Sequence, residues 1–237
     1  MIVAQDTNQG HGFSFRSDRL CLDFAATLMF RGTPQPRELL DSPAALSAWA
    51  LASVTVGSNA SAPRSTGFTG FTGFTGSTGA PGATGSAGTA GAAGAAEFNP
   101  TDHELKAAIA LREAIYQLAT ARISGRGLPS AELLVLNYQA QQTPVTVALG
   151  NDGTVISTGS IIAVMATVAR DAVTLLGGPD ARSLRQCGRD GCTRMFVDRS
   201  RGQNRSWCGM RECGNRVNAA AYRRRKQPVS KQSVSER

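Results

Sequence analysis

Histidine is nearly missing from this chain, with two in 237 residues. His11 lies in a polar leader and His103 in the first turn of an expected helix, so neither joins a catalytic set. Phosphate-cradling loops, dinucleotide fingerprints and nucleophile elbows are missing too. The chain is therefore not expected to be an enzyme. Long apolar runs are also lacking. The longest, "SIIAVMATVARDAVTLL" at 160–176, is too short to span a bilayer and is interrupted by Arg170 and Asp171. The opening "MIVAQDTNQGHGFSF" has neither a basic start nor an apolar run, so no secretory signal is expected. These absences place the chain in the cytoplasm, away from membranes. There thiols stay reduced, and cysteine pairs serve metals more often than disulfides.

Proline is scarce where a collagen-like pattern would need it. From Gly67 to Gly94 glycine recurs at every third position, ten times in a row, with Pro81 the one proline among them. A triple helix wants proline at roughly 15–20% of positions, so residues 57–96 read as a disordered, low-complexity Gly-X-Y insertion. Phe68, Phe71 and Phe74 make it stickier than a Gly/Ser linker. The insertion interrupts one globular region, 13–180. Ser42 and Pro43 mark a helix start. Thr101 and Glu104 form a capping box for a second helix, in which Leu105, Ala108, Leu111, Ile115 and Leu118 recur at helical spacing up to Gly125. "PSAELLVLNYQAQQ" is a third helix. Val145, Val147 and Leu149 alternate before "NDG" and Val155, a hairpin signal. The apolar helix 160–176 follows and ends at Gly177-Gly178. Cys21, in "RLCLDF", reads as a small buried hydrophobe.

Four of the five cysteines form two pairs, Cys187-x4-Cys192 and Cys208-x4-Cys213. A tetrahedral zinc ion needs four such ligands, and each short pair can bend into a knuckle offering two. Disulfides or free thiols are the weaker reading. With all four positions filled by sulfur, no site is left for water or substrate, so one structural Zn2+ is expected. "TRMFVDRSRGQNRSW" reads as a hairpin with Met195, Phe196 and Val197 in its first strand, a turn at Gly202-Gln203 and a return through Trp207. "GNRVNAAAYRRRK" reads as a helix with Val217, Ala220 and Ala221 on its packed face and Tyr222 over the knuckle. Knuckle, hairpin, knuckle and helix make a treble-clef, zinc-ribbon-like finger over 183–227, followed by a disordered tail, 228–237. The fold class is α+β: a mostly helical N-terminal domain with a small β hairpin, then the finger, with the boundary near Pro179 to Ser183.

Charge is concentrated in that finger. Residues 182–226 hold thirteen Arg and Lys against Asp190, Asp198 and Glu212, a balance of +10 in a chain of net charge +8. Such a cationic surface suits a polyphosphate partner. Arg199, Arg201 and Arg205 are expected along the hairpin tip, Arg211 and Arg216 beside the second knuckle, and Arg223 and Arg224 in the last helical turns. All are candidate nucleic-acid contacts, their guanidinium forks suiting phosphate oxygens and guanine edges alike. Asn215 either caps the helix or contacts the nucleic acid. Arg225 and Lys226 are explained by the helix dipole alone. Arg19 and Asp23 bracket "LCLDF" and form either a buried stabilising pair or a ligand pocket.

Cys213-Gly214-Asn215-Arg216 within "WCGMRECGNRVNAAAYRRRK", preceded by "CGRDGCTRMFVDRSRGQNRSWC", resembles the CGNR zinc-finger family of bacterial proteins. Upstream, "RLCLDFAATL", "SPAALSAWA" and "LREAIYQL" resemble the ABATE domain that usually precedes this finger. The resemblance implies a stress-responsive transcription regulator whose ABATE region senses a ligand while the finger binds DNA. The family pattern runs Asp-Phe-x-Asn-Thr. Here Ala26 stands in the asparagine's place, which removes that side chain from any pocket.

The resulting expectation is a zinc-dependent DNA-binding regulator, nucleoid-associated, with residues 13–180 as sensor of a small-molecule effector or as a homodimerisation module. An RNA-binding or ribosome-associated zinc ribbon is the alternative, with Trp207 or Tyr222 stacking on bases. Two weaker readings are an enzyme in the N-terminal domain and a zinc–thiolate redox switch.

Overall fold

The computed structural model describes residues 12–58, 74–75, 98–151, 153 and 155–226. It is mixed α+β, as the sequence patterning requires. A short helix, α1 (Leu20–Ala25), buries five of its six residues. Phe24 in α1 packs against Trp49 of α2 (Pro43–Ser58), ring centroids 4.7 Å apart. Between these helices β1 (Leu28–Met29) and β2 (Arg37–Glu38) pair antiparallel, a ribbon that the sequence reading did not contain. Two-residue strands are too short to show a period of two. The Ser42 hydroxyl accepts from the Ala45 amide, as the expected helix start requires.

The capping box at Thr101 and Glu104 is formed, and it opens α3 (Asp102–Ile123). Gly125 closes the end of α3 with φ +64°, a conformation L side chains rarely adopt. The next helix, α4 (Ser130–Gln141), leads to the expected hairpin of β4 (Thr146–Leu149) and β5 (Val155–Thr158), with Leu149 opposite Val155. A third strand, β3 (Phe74–Thr75), comes from the Gly-X-Y insertion and pairs parallel with β5. At its start α2 runs into the expected insertion as far as Ser58; residues 59–73 and 76–96 and the tail lie outside the described residues, as does His11. The apolar helix is α5 (Ile161–Gly177). It buries eleven of its seventeen residues and forms the central pillar of the core. Among the described residues no helix is long and apolar enough to cross a membrane.

A 3-10 turn (Pro179–Ser183) hands the chain to β6 (Leu184–Gln186), which pairs antiparallel with β7 (Met195–Val197). This corrects the expected hairpin. β7 returns to the strand before the first knuckle, not to Trp207, so the cysteine pair Cys187 and Cys192 sits inside the β6–β7 connection. Leu184, Met195 and Val197 belong to the main core, whereas Phe196 packs among the paired cysteines. Strand periodicity turns alternate side chains to opposite faces, so one strand walls two cores. The Val197 amide also donates to the Ser17 carbonyl at 3.3 Å.

One charge lies deep in the core. Arg112 on α3 is 2% exposed; its Nη1 meets Glu38 at 2.5 Å and its Nε meets Glu113 at 2.8 Å. Burial raises the Glu38 carboxyl. Bonds from Arg112 and from the Leu40 and Leu39 amides outweigh burial and hold it below its ordinary 4.5. Removing one partner of a buried ion pair strands the other charge, so Arg112→Ala should cost about 3 kcal/mol, read as a lowered Tm. A carboxyl depressed on folding stabilises above its unfolded pKa. The stability advantage of the wild type over Glu38→Gln should therefore hold above pH 4.5 and shrink below it.

Candidate metal centre and cationic face

The two knuckles are built by backbone bonds. Cys187 N–H donates to the Arg194 carbonyl and Cys192 N–H to the Arg189 carbonyl, both at 2.9 Å. Gly191 turns the first knuckle with φ +73°, where a side chain would be strained. The second knuckle enters a π-helical turn (Met210–Gly214), in which the Cys213 and Gly214 amides both donate to the Gly209 carbonyl at 3.1 Å. Gly214 is needed for room. A Cβ there would lie 2.7 Å from the Met210 sulfur and 3.2 Å from the Trp207 ring. Gly188 N–H donates to the Ser206 carbonyl at 2.8 Å and ties the knuckles together.

All four sulfurs lie within 4.8 Å of one another. The Sγ separations are 3.9 Å for Cys192–Cys208, 3.5 Å for Cys208–Cys213 and 3.8 Å for Cys192–Cys213. A tetrahedron with zinc–sulfur bonds of about 2.3 Å has sulfur–sulfur edges of about 3.8 Å, so the donor set fits a tetrahedral thiolate-bound ion. The cysteines are unbridged. Hydrogen bonds from Cys192 and Cys208 draw the Cys187 thiol far below its usual range, and that same bond to Cys187 drives Cys192 up to about 11. Four sulfurs this close cannot all ionise without a cation between them. Acid should therefore strip any metal held there, since protons compete for every ligand.

The surrounding arginines divide into two groups. Arg205 lies inward, unlike the expectation of a hairpin-tip contact. Its Nε donates to the Trp207 carbonyl at 2.9 Å and its Nη2 to the Cys208 carbonyl at 2.6 Å. Its Nη1 meets Asp18 at 3.3 Å, and the guanidinium lies 4.4 Å over the Phe196 ring. Its amide and that of Ser200 both donate to the buried Asp198 carboxylate at 2.9 Å, which closes the loop to the second knuckle. Arg199 is half turned away as well, paired with Asp180 at 2.8 Å. Arg201 and Arg211 are exposed, the latter on the π turn.

The last helix, α6 (Asn215–Lys226), continues that turn without a break. Asn215 has helical φ and ψ (−62°, −36°) and donates its amide to the Met210 carbonyl, so it does not cap the helix. The amides at 214–215 are spent on the turn and offer no anion site. Arg216, Arg223 and Arg224 are exposed, while Val217 and Ala220 are only half-buried. Tyr222 is 58% exposed and lies beneath Lys226, so it does not cover the knuckle. Trp207 packs there instead.

Two family models match, in the same order as the two parts of the chain. Residues 18–179 match ABATE, described as "Putative stress-induced transcription regulator". Residues 183–226 match the CGNR zinc finger. The chain belongs to the ABATE family. No curated protein matches it. Within the ABATE region Arg19 and Asp23 face different ways and do not pair. Arg19 bonds Asp171 at 2.8 Å and Asp180 at 3.2 Å. Asp23 accepts from the Arg16 and Ser17 amides at 2.8 and 3.0 Å and from Arg194 of the CGNR finger at 3.4 Å. Burial pushes its carboxyl up to about 6 against those donors. Neither residue lines the cavity of about 360 Å3 that lies where the ABATE region meets the CGNR finger. The candidate ligand pair is thus a set of anchors beside a cavity, and no sequence pattern marked Arg16, Arg194 or Glu212 as its walls. Cys21 is fully buried, as expected.

Arg205 supplies the sharpest check on this division. Outer-shell partners of metal ligands are commonly worth ten- to a hundredfold in metal affinity. Arg205→Ala should weaken metal retention in a chelator competition by about that factor, whereas Arg223→Ala should leave it unchanged.

Proposed function

We propose that this ABATE–CGNR chain is a zinc-dependent, DNA-binding transcription regulator of the cytoplasm and nucleoid, acting by binding and not by catalysis. Cys187, Cys192, Cys208 and Cys213 would hold the ion, which supplies a rigid junction and no chemistry of its own. The observation that carries the reading is α6: a helix with exposed Arg216, Arg223 and Arg224, rooted directly in the turn that contains Cys213. Arg216 and Arg223 stand seven residues apart, so they share one helix face about 10 Å apart. A cationic, thinly packed helix of this kind can enter a groove, with Arg201 and Arg211 reaching flanking phosphates. Arg199 and Arg205 are left out of that interface. Their guanidinium groups have partners in Asp180, Asp18 and the knuckle. Residues 13–180 would act as sensor or dimerisation module, separate in role from the finger at 183–227.

Tyr222 supports a second reading. A ring 58% exposed beside a lysine can stack on an unpaired base, as RNA-binding modules do. Fluorescence anisotropy of the zinc-loaded chain on duplex DNA and on structured RNA, across a salt series, separates the two. On DNA, log affinity should fall linearly with log salt, and Arg216→Ala, Arg223→Ala and Arg224→Ala should each reduce the slope by about 0.9 while zinc is retained. Lack of duplex binding at 50 mM salt, with structured RNA bound tightly, would transfer the role to RNA.

A further inference from the structure

The cavity between the N-terminal segment and the finger has a division of labour along its wall. Its apolar side consists of Phe13, Met29 and Phe30, and its cationic side of Arg16, Arg189 and Arg194. Cys192, Cys208 and Cys213 close one end. A metal ion within the sulfur cluster occupies a small part of about 360 Å3; the volume falls in the range of small-molecule sites. Phe30 reaches this wall from a left-handed backbone, φ +57°. That conformation is costly for a bulky residue and is met where surrounding structure enforces it, often at ligand sites.

The three guanidinium groups are not equivalent. Arg194 is committed to Asp23 and to the Ser14 carbonyl at 3.0 Å. Arg189 lies 3.7 Å from the Cys213 sulfur, where it answers the negative charge of a metal-bound thiolate. Arg16 instead reaches a carboxylate from the opposite part of the molecule, Glu212 on the π turn. Both side chains of that pair are 44% exposed. An ion pair this open contributes little and exchanges partners readily. Glu212 also shows what Arg16 accepts at this position: a carboxylate, held by a fork suited to two oxygens.

We propose that this cavity is a binding site for a small carboxylate with an apolar body. Its ring or short chain lies against Phe13, Met29 and Phe30, and its carboxylate takes Arg16 in place of Glu212. Because Glu212 precedes Cys213 on the turn that becomes α6, the exchange severs an ion pair between the N-terminal segment and the base of the cationic helix. The link to regulation rests on the DNA-binding reading above; the site itself does not.

Calorimetric titration of the full-length, zinc-loaded chain with benzoate, in the absence of nucleic acid, tests the site independently of that reading. Saturable one-to-one binding is expected, with the neutral isostere benzamide about tenfold weaker or more. Arg16→Gln should weaken benzoate about tenfold, because it removes the charged fork. Glu212→Gln should tighten it about threefold or more, because it removes the competing carboxylate. Opposite shifts from the two halves of one ion pair are not what loss of a merely structural contact produces. Zinc content and the circular dichroism spectrum of each variant are checked alongside. Should Arg16→Gln lose metal or helix, the Glu212→Gln shift and the benzamide comparison decide. The proposal is overturned by non-saturable heat, by benzamide binding as well as benzoate, or by a Glu212→Gln affinity equal to or weaker than wild type.

Discussion

The structure depends on one strand having two faces. β7 sends Met195 and Val197 into the helical core and Phe196 into the cysteine cluster. Neither core is closed without it. A small metal domain ordinarily takes its folding energy from the ion, because it has too few apolar residues to bury. Here the finger borrows burial from the larger region, through Leu184, Met195 and Val197. The coupling is reinforced by polar contacts on both flanks: Arg194 to Asp23, Arg205 to Asp18, and Arg199 to Asp180. The finger is therefore seated in the ABATE region through β6, β7 and their flanks, whereas α6 is exposed along most of its length.

That seating explains how a strongly cationic segment partitions its charge. Arg189, Arg194, Arg199 and Arg205 meet carboxylates, carbonyls, a sulfur or an aromatic face. Arginines on the helix meet solvent. A count of charges over residues 182–226 treats both groups alike; the fold separates scaffold from surface. The inward arginines hold the knuckles in position, and the outward ones give the molecule its cationic face.

Much of this architecture was legible in the sequence, because its signals are local. The capping box at Thr101 and Glu104, the 3.6-residue spacing through Leu118, the turn before Val155 and the two Cys-x4-Cys pairs each specify structure within a few residues. What could not be read was nonlocal. The partner of β7 differs from the expected one because Met195, Phe196 and Val197 are all apolar and the sequence offers two flanking candidates. Arg205 and Arg112 look like surface residues until Phe196, Asp18 and Glu38 are brought to them from distant parts of the chain. The cavity depends on residues 12–16, 29–30 and 189–213 meeting, which no spacing encodes. Asn215 was ambiguous for a different reason. The π turn before it replaces the usual helix start, and such turns have no sequence signature of comparable strength.

The bond from Val197 to Ser17 joins positions 180 residues apart. Ser17 therefore leaves the ribosome 180 residues ahead of Val197. The amino-terminal segment, whose Phe13 and Phe15 pack in the helical core, must wait without its mate, together with Asp23 behind it, while the intervening residues are made. Closure of such a distant contact is slow, and apolar surface stays uncovered meanwhile. A nascent chain of this protein accordingly has a long window of vulnerability, which the emergence of β7 ends.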